Sequence, residues 1–515
     1  MRSTFLFTPR PLTFTPPTWH SDPNLQQPKS TKSDRFDQWC LRLGFRNRMH
    51  LLSLAPLYFI FVFMGIHLIG QGAYHGQDFG YHCLWVQQLS HDPFSFPYFG
   101  STNPPMLYIL GALALQVFGT PAWLCAISLF LLLINLLALH LCYLIAKRIC
   151  SSNTVLLAGM YFIALLPFTL ITSVVFASDA LTPFFFYLYV FCWIRMAEDA
   201  SSDSYQRHSR IAALAMLFGA LSKYTFVVFI PISILFFIAL LILRRPTPSQ
   251  ASSIFVLAVL IPTLSLGAIR IANSKHSLHN TTFPKLAQCM KIKRLLLPTA
   301  KDLYILSAPS YGKPIELNGT QIRVTPWGRP RKDGELGFEL LVNNRYSYPA
   351  LLHLALHTDP LNIAWKGLSD GWGIDRPKAN QLLQSISVSL GLPFSLLAPI
   401  AVLCSFASLF QVLRPCLSEN SVILPLAFTA TSATIAYLAT ISMFPFLIAV
   451  YYAGYWLPRL VFPSILGFGI LGIFFCDQMK NWLSSYSVRC SAIAGTTALI
   501  LVTLANFSHI LLLWR

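Results

Sequence analysis

Residues 122–148 read AWLCAISLFLLLINLLALHLCYLIAKR. From 122 to 146 the run holds no Asp, Glu, Lys or Arg, and Lys147 and Arg148 then close it. At 1.5 Å per residue such a helix measures about 37 Å, enough to cross a hydrocarbon core of about 30 Å. Blocks of this kind recur along the chain. Across its 515 residues, 55% are hydrophobic and only 11% are charged, and mean hydropathy is +0.58. Soluble domains carry about 25% charged residues, because polar surface has to cover their core. An ordinary cytosolic enzyme, a nucleic-acid-binding domain and a disordered tail protein are therefore excluded. The chain is an all-α polytopic membrane protein. Its formal charge of +18 belongs to loops and needs no nucleic-acid partner.

Eleven spans follow from the apolar blocks: roughly 51–70, 122–146, 154–175, 179–195, 210–222, 224–243, 252–271, 384–411, 421–444, 457–476 and 490–513. Residues 1–48 are polar and rich in proline, with Arg2, Arg10, Lys29, Lys32, Arg35, Arg42, Arg46 and Arg48 ahead of the first span. They read as a disordered basic cytoplasmic tail, with the first span an uncleaved signal anchor. The segments 71–103, 172–178 and 445–456 then fall outside, and none contains Lys or Arg. Lys147, Arg148, Arg195, Arg244, Arg245, Arg414, Lys480 and Arg489 fall inside. This bias supports the span count and the orientation together, and it puts the C-terminus outside. The domains are a transmembrane module over 49–271 with its first outer loop at 71–121, a loop module over 272–383, and C-terminal helices over 384–515.

Two stretches need a decision. Residues 104–118 are apolar but short, and counting them as a span would put Lys147 and Arg148 outside. They are read as an interfacial helix at the outer face, started by Pro104 and Pro105. Residues 210–243 carry one charge, Lys223, in mid-run, with arginines at both ends. They are read as a helical hairpin with Lys223 at its outer turn. The segment 272–383 contains the turn pairs Asn318-Gly319 and Asp333-Gly334 and an apolar stretch at 350–356, so a small folded module is expected there. Asp92, in SHDPF, reads as a turn residue. Of eleven cysteines, Cys83 and Cys289 fall outside the membrane. They are either free thiols or a bridge. Asn280, Asn318 and Asn506 sit in N-x-S/T sequons.

Ionisable residues at membrane edges are costly and point to function. Asp78 and His82 follow the first span, four residues apart, on one face if the stretch is helical. Asp179 opens the fourth span, Lys223 marks the hairpin turn, Arg270 ends the seventh span and Arg459 begins the tenth. On this topology all six lie at the outer face. Each has a structural alternative. Asp179 would cap a helix; Lys223, Arg270 and Arg459 would snorkel to headgroups; His82 would be a neutral packing residue.

The order GQDFGYHCLWVQQL, T-N-P-P-x-x-Y (Thr102 to Tyr108), Phe118-Gly119, S-D-A-L, L-S-K-Y-T and R-x-x-x-P (Arg459 to Pro463) resembles the membrane glycosyltransferases of the GT-C fold. The nearest group is the family 39-like enzymes, the protein O-mannosyltransferases and the lipid A aminoarabinose transferase. The likeness covers roughly 50–245 and, more weakly, 450–475. The chain departs in having Gln77-Asp78 for an acidic pair and Asn103 for a histidine, which weakens a two-carboxylate metal site. The resemblance implies a polyprenyl-phosphate sugar donor, an acceptor hydroxyl on a glycan, lipid or protein, and membrane lipids as surroundings. It implies Asp78 as general base in a single inverting displacement. Lys223, Arg459 and Arg270 would receive the phosphate charge, Asp179 and His82 would hold substrate, and Tyr81, Tyr108, Tyr224 and Asn103 would line the site. No cofactor is required, and a divalent metal is compatible but not indicated. The setting is a bacterial inner membrane, or the endoplasmic reticulum in a eukaryotic host. A flippase for lipid-linked saccharides and a non-catalytic subunit of a glycan-assembly complex are the competing readings. A transporter would place its ionisable residues near the midplane on broken helices.

Overall fold

A computed structural model describes residues 32–70, 72, 79–94, 104–120, 122–198, 201–223, 226, 229–244, 246–261 and 263–265. Beyond these it describes four strands between 314 and 340, scattered helical residues between 353 and 406, the segments 425–437 and 462–484, and residue 504. The elements are α1 (Lys32–Arg42), α2 (Arg48–Gly70), α3 (Phe79–His91), α4 (Met106–Phe118), α5 (Ala122–Ile149), α6 (Asn153–Ala164), α7 (Pro167–Val174), a 3-10 turn (Ser178–Ala180), α8 (Thr182–Glu198), α9 (Ser202–Ser222), α10 (Phe229–Arg244) and α11 (Pro248–Ile254). Helix α11 continues as a π-helical stretch, Phe255–Leu260. A last helix, α12, is Phe462–Ser484.

Among the described residues, five helices are long and apolar enough to cross a membrane: Arg48–Gly70, Ala122–Ile149, Ser178–Glu198, Pro248–Ser265 and Phe462–Lys480. The pair Asn153–Ala164 and Pro167–Val174, bent by 54°, makes a sixth if counted as one span. The chain is thus an α-helical, multi-pass membrane protein, although the described residues do not reach eleven spans. Most of 384–411 and all but one residue of 490–513 lie outside them. The bend, inside the span expected over 154–175, follows from Pro167, which removes a backbone donor.

Other expectations also change in detail. The N-terminal segment contains α1, whose Cys40 is buried, where an unstructured tail was expected. Cys40 joins the core, while Phe36, Trp39 and Leu41 of the same helix stay exposed. The first arm of the 210–243 hairpin begins at Ser202 and runs 21 residues, not about 13. Serine and glutamine suit the solvated start of a helix, so apolar content alone misses that turn. Helix α4 starts after Pro105 and ends at Gly119. Gly119 has φ +65°, a conformation that side chains with a Cβ rarely adopt. At 13 residues α4 measures about 20 Å, too short to span. Asp92 accepts from the Phe94 N–H at 3.1 Å, the turn expected of it.

In the 272–383 segment, β1 (Pro314–Leu317) pairs antiparallel with β2 (Thr320–Arg323) on either side of Asn318-Gly319. Strand β3 (Gly328–Pro330) pairs with β4 (Phe338–Leu340) around Asp333-Gly334. His353 and His357 are buried, and His357 lies 6.4 Å, ring to ring, from Phe162 of α6. Cys289 is outside the described residues.

One end of the bundle is held by polar contacts. Arg46 donates to the carbonyls of Lys147 and Cys150 at 2.8 and 2.9 Å. It thereby satisfies acceptors that a helix C-terminus leaves unpaired. Buried Asp477 of α12 accepts from the Ser151 N–H, the Ser151 hydroxyl and the Ser152 N–H at 2.7, 2.8 and 2.9 Å. Arg148 pairs with Glu198 at 2.6 Å. Small residues close the same interface. A Cβ at Gly159 of α6 would overlap Ile473 of α12, and one at Gly469 of α12 would overlap Ile163 of α6, the close approach by which packed membrane helices gain contact.

Candidate functional site

From Ile163 to Pro183 every residue is buried. This stretch holds the end of α6, all of α7, an extended link, the 3-10 turn and the start of α8. Irregular backbone at membrane depth is tolerated only where protein or water covers it, and here protein does. Thr182 fixes the turn locally, with its hydroxyl donating to the Asp179 carbonyl at 2.8 Å. Pro183 falls in the first turn of α8, where its missing N–H costs nothing.

The turn presents Asp179, which is 2% exposed. Its carboxylate pairs with the ammonium of Lys223. Lys223 ends α9, and its N–H donates to the Gly219 carbonyl at 2.9 Å. The Phe226 ring packs over Gly219, where any Cβ would overlap it. The Lys223 side chain, 12% exposed, reaches Asp179 across the α8–α9 interface. Helices α8 and α9 are antiparallel partners, and the ion pair lies at their shared end.

A second cluster sits beside it. His82 of α3 is buried, and its Nδ1 lies 3.1 Å from the Tyr108 hydroxyl of α4. The His82 ring meets Phe176 edge-on at 6.0 Å, and Trp123 meets Phe176 edge-on at 5.4 Å. Phe176 belongs to the extended link three residues before Asp179, so about 11 Å of backbone at most separates the two clusters. A Cβ at Gly111 would overlap Val86 and crowd Phe176, which is why α4 can lie so close to α3 and the link. Burial also pushes the Cys83 thiol, next to His82, up to about 11.

Of the residues expected at the site, the structure joins Asp179 to Lys223 and His82 to Tyr108, and links the pairs through Phe176. Tyr81 lies on α3, and its side chain is not described. Asp78, Asn103, Tyr224, Arg270 and Arg459 lie outside the described residues. Among the described residues no three His, Cys, Asp or Glu side chains gather as a metal site. Sequence reasoning missed two residues. Phe176 carried no signal beyond its apolarity. Asn135 did carry one, as the only amide in α5. It is 1% exposed, and its Nδ2 donates to the Leu131 and Ala180 carbonyls at 2.9 and 2.8 Å.

An anionic and a cationic group paired in a buried setting, next to a histidine–tyrosine pair, can orient a polar substrate and receive negative charge. Residues 102–266, less than half of the chain, match a family model described as dolichyl-phosphate-mannose-protein mannosyltransferase. No curated protein matches the chain. Among solved structures, it is similar to the oligosaccharyltransferase of Archaeoglobus fulgidus in the apo form, at 11% identity and a TM-score of 0.45, covering 89% of this chain and 56% of that one. It is also similar to ArnT from Cupriavidus metallidurans bound to undecaprenyl phosphate, at 13% identity and a TM-score of 0.32, covering 88% of this chain and 77% of that one. The chain thus spans little more than half the length of the archaeal protein. The stretch 102–266, over which the chain is similar to that mannosyltransferase family, holds Tyr108, Asp179 and Lys223.

Proposed function

We propose that the protein is an inverting glycosyltransferase. It moves a sugar from a polyprenyl-phosphate donor to an acceptor hydroxyl of a glycan, lipid or protein at the extracytoplasmic face. The observation that supports this most is the buried Asp179–Lys223 pair, which falls inside the stretch matched to a membrane mannosyltransferase family. In this reading Asp78 takes the proton of the acceptor hydroxyl. The oxygen attacks the anomeric carbon as the bond to the phosphate oxygen breaks, and polyprenyl phosphate leaves. Phosphate is a good leaving group and needs cations rather than a strong acid. Lys223, with Arg459 and Arg270, receives that charge, and Asp179 keeps Lys223 aimed. His82 and Tyr108 bind sugar hydroxyls, and Tyr81, Tyr224 and Asn103 complete the walls.

The test uses the full chain in nanodiscs with a panel of polyprenyl-phosphate sugars, dolichyl-phosphate mannose among them. Release of polyprenyl phosphate is followed for wild type, Asp78→Asn and Lys223→Met, with and without a metal chelator. Release by wild type, lost in Asp78→Asn, is expected. Equal release by wild type and Asp78→Asn removes Asp78 as the base. Donor binding without release by any protein favours a flippase or subunit.

A further inference from the structure

Asn135 sits halfway along α5, about 20 Å from its first residue. Both partners of its Nδ2, the Leu131 and Ala180 oxygens, are carbonyls. Only the NH2 end of an amide can donate to a carbonyl, so the orientation of the side chain is fixed. Its Oδ1 is buried and accepts no hydrogen bond among the described residues. Burying half an amide unsatisfied is unfavourable, and a leucine would fill the position in an apolar helix without that cost. The compensation is the bond to Ala180. Ala180 is the last residue of the 3-10 turn and directly follows Asp179. Within the turn the Leu181 N–H donates to the Ser178 carbonyl at 3.2 Å, and the Asp179 carboxylate meets Lys223 of α9. Asn135 ties its backbone to α5. Such a tie matters because Asp179 must meet Lys223 from another helix, and a turn free to shift by an ångström would lose that geometry.

We propose that Asn135 is a positioning residue. It clamps the 3-10 turn onto α5 so that the Asp179 carboxylate holds the Lys223 ammonium where a donor phosphate is received. The last clause rests on the glycosyltransferase reading, whereas the clamp itself does not. Two variants remove it. Asn135→Leu keeps the volume and loses the donor. Asn135→Ser keeps a bond to Leu131 within the helix but is too short to reach Ala180, and serine is well tolerated in packed membrane helices. It carries the test if the leucine variant fails to fold. Asn135→Gln retains a donor and serves as the conservative rescue.

Two readouts are taken on the full-length protein. The first is pulse acetylation of lysines followed by mass spectrometry. Lys223 labelling should rise about threefold or more in both variants, while exposed Lys480 at the far end stays at its wild-type rate. Asn135→Gln should lie nearer wild type. The second is donor turnover. A misplaced cation weakens stabilisation of the developing phosphate charge, so kcat should fall about tenfold or more with donor KM changed by less. Wild-type Lys223 labelling in both folded variants overturns the proposal. Raised labelling in a protein whose wild type turns over no donor leaves the clamp standing and removes the glycosyltransferase reading instead.

Discussion

The ammonium of Lys223, at the end of α9, rests on the carboxylate of Asp179, in the turn before α8. Side-chain exposures of 12% and 3% place the pair away from bulk water. Removing one member leaves an uncompensated buried charge, which costs about 3–5 kcal/mol, whereas replacing both by apolar groups is often close to neutral. Asp179→Leu and Lys223→Met should each lower the melting point of the purified protein strongly, and the double variant should recover most of the loss. Donor turnover should stay lost in all three. A double variant no more stable than the singles would show that the pair does not act as a unit.

The His82–Tyr108 contact at 3.1 Å joins α3 to α4. A buried neutral hydrogen bond contributes about 0.5–1.5 kcal/mol. Tyr108→Phe should cost about 1 kcal/mol, and the cost should largely vanish in a His82→Phe background. A double-mutant cycle by thermal or denaturant unfolding measures it. Additive losses would mean that the two rings pack without bonding.

At the opposite end of the bundle, Asp477→Ala strips three donors of their acceptor. Two of these are backbone N–H groups. The expected loss is about 2–4 kcal/mol, with faster proteolysis near α12. Ser151→Ala removes one hydroxyl and should cost about 1 kcal/mol or less. Similar losses for the two variants would count against Asp477 as the anchor of α12.

Cys83 is half-buried on α3 with its thiol pushed up to about 11. A raised value means a neutral thiol at pH 7 and a thiolate that appears only in alkali. Its alkylation rate should climb about tenfold per pH unit from pH 7 to 10, whereas an ordinary thiol near 8.5 levels off above pH 9. Site-resolved maleimide labelling followed by mass spectrometry reads this directly. A plateau by pH 9 would show that Cys83 is not desolvated.

Much of the architecture was legible in the chain. The helix over 122–149 follows from a long apolar run closed by Lys147 and Arg148. The break at Lys223 follows from one charge in an apolar stretch flanked by arginines. The short helix after Pro105 follows from two prolines and too few residues to span. Membrane solvent makes such features decisive, since in lipid every backbone group has to be satisfied within its own helix and every charge has to find an exit or a partner.

The sequence by itself determined a multi-pass helical protein and the ionisable residues worth attention, Asp179, Lys223 and His82 among them. It did not determine their partners. That Lys223 meets Asp179 depends on how α9 packs along α8. That the Asp179 turn stays in place depends on an amide halfway along another helix. That His82 meets Phe176 depends on the bend at Pro167 and the extended link after α7. These are contacts between segments far apart in the chain. Hydropathy and local propensity report how each residue prefers to be solvated or coiled, whereas the choice among buried partners is made only when the helices pack and each polar group must be satisfied by what lies beside it.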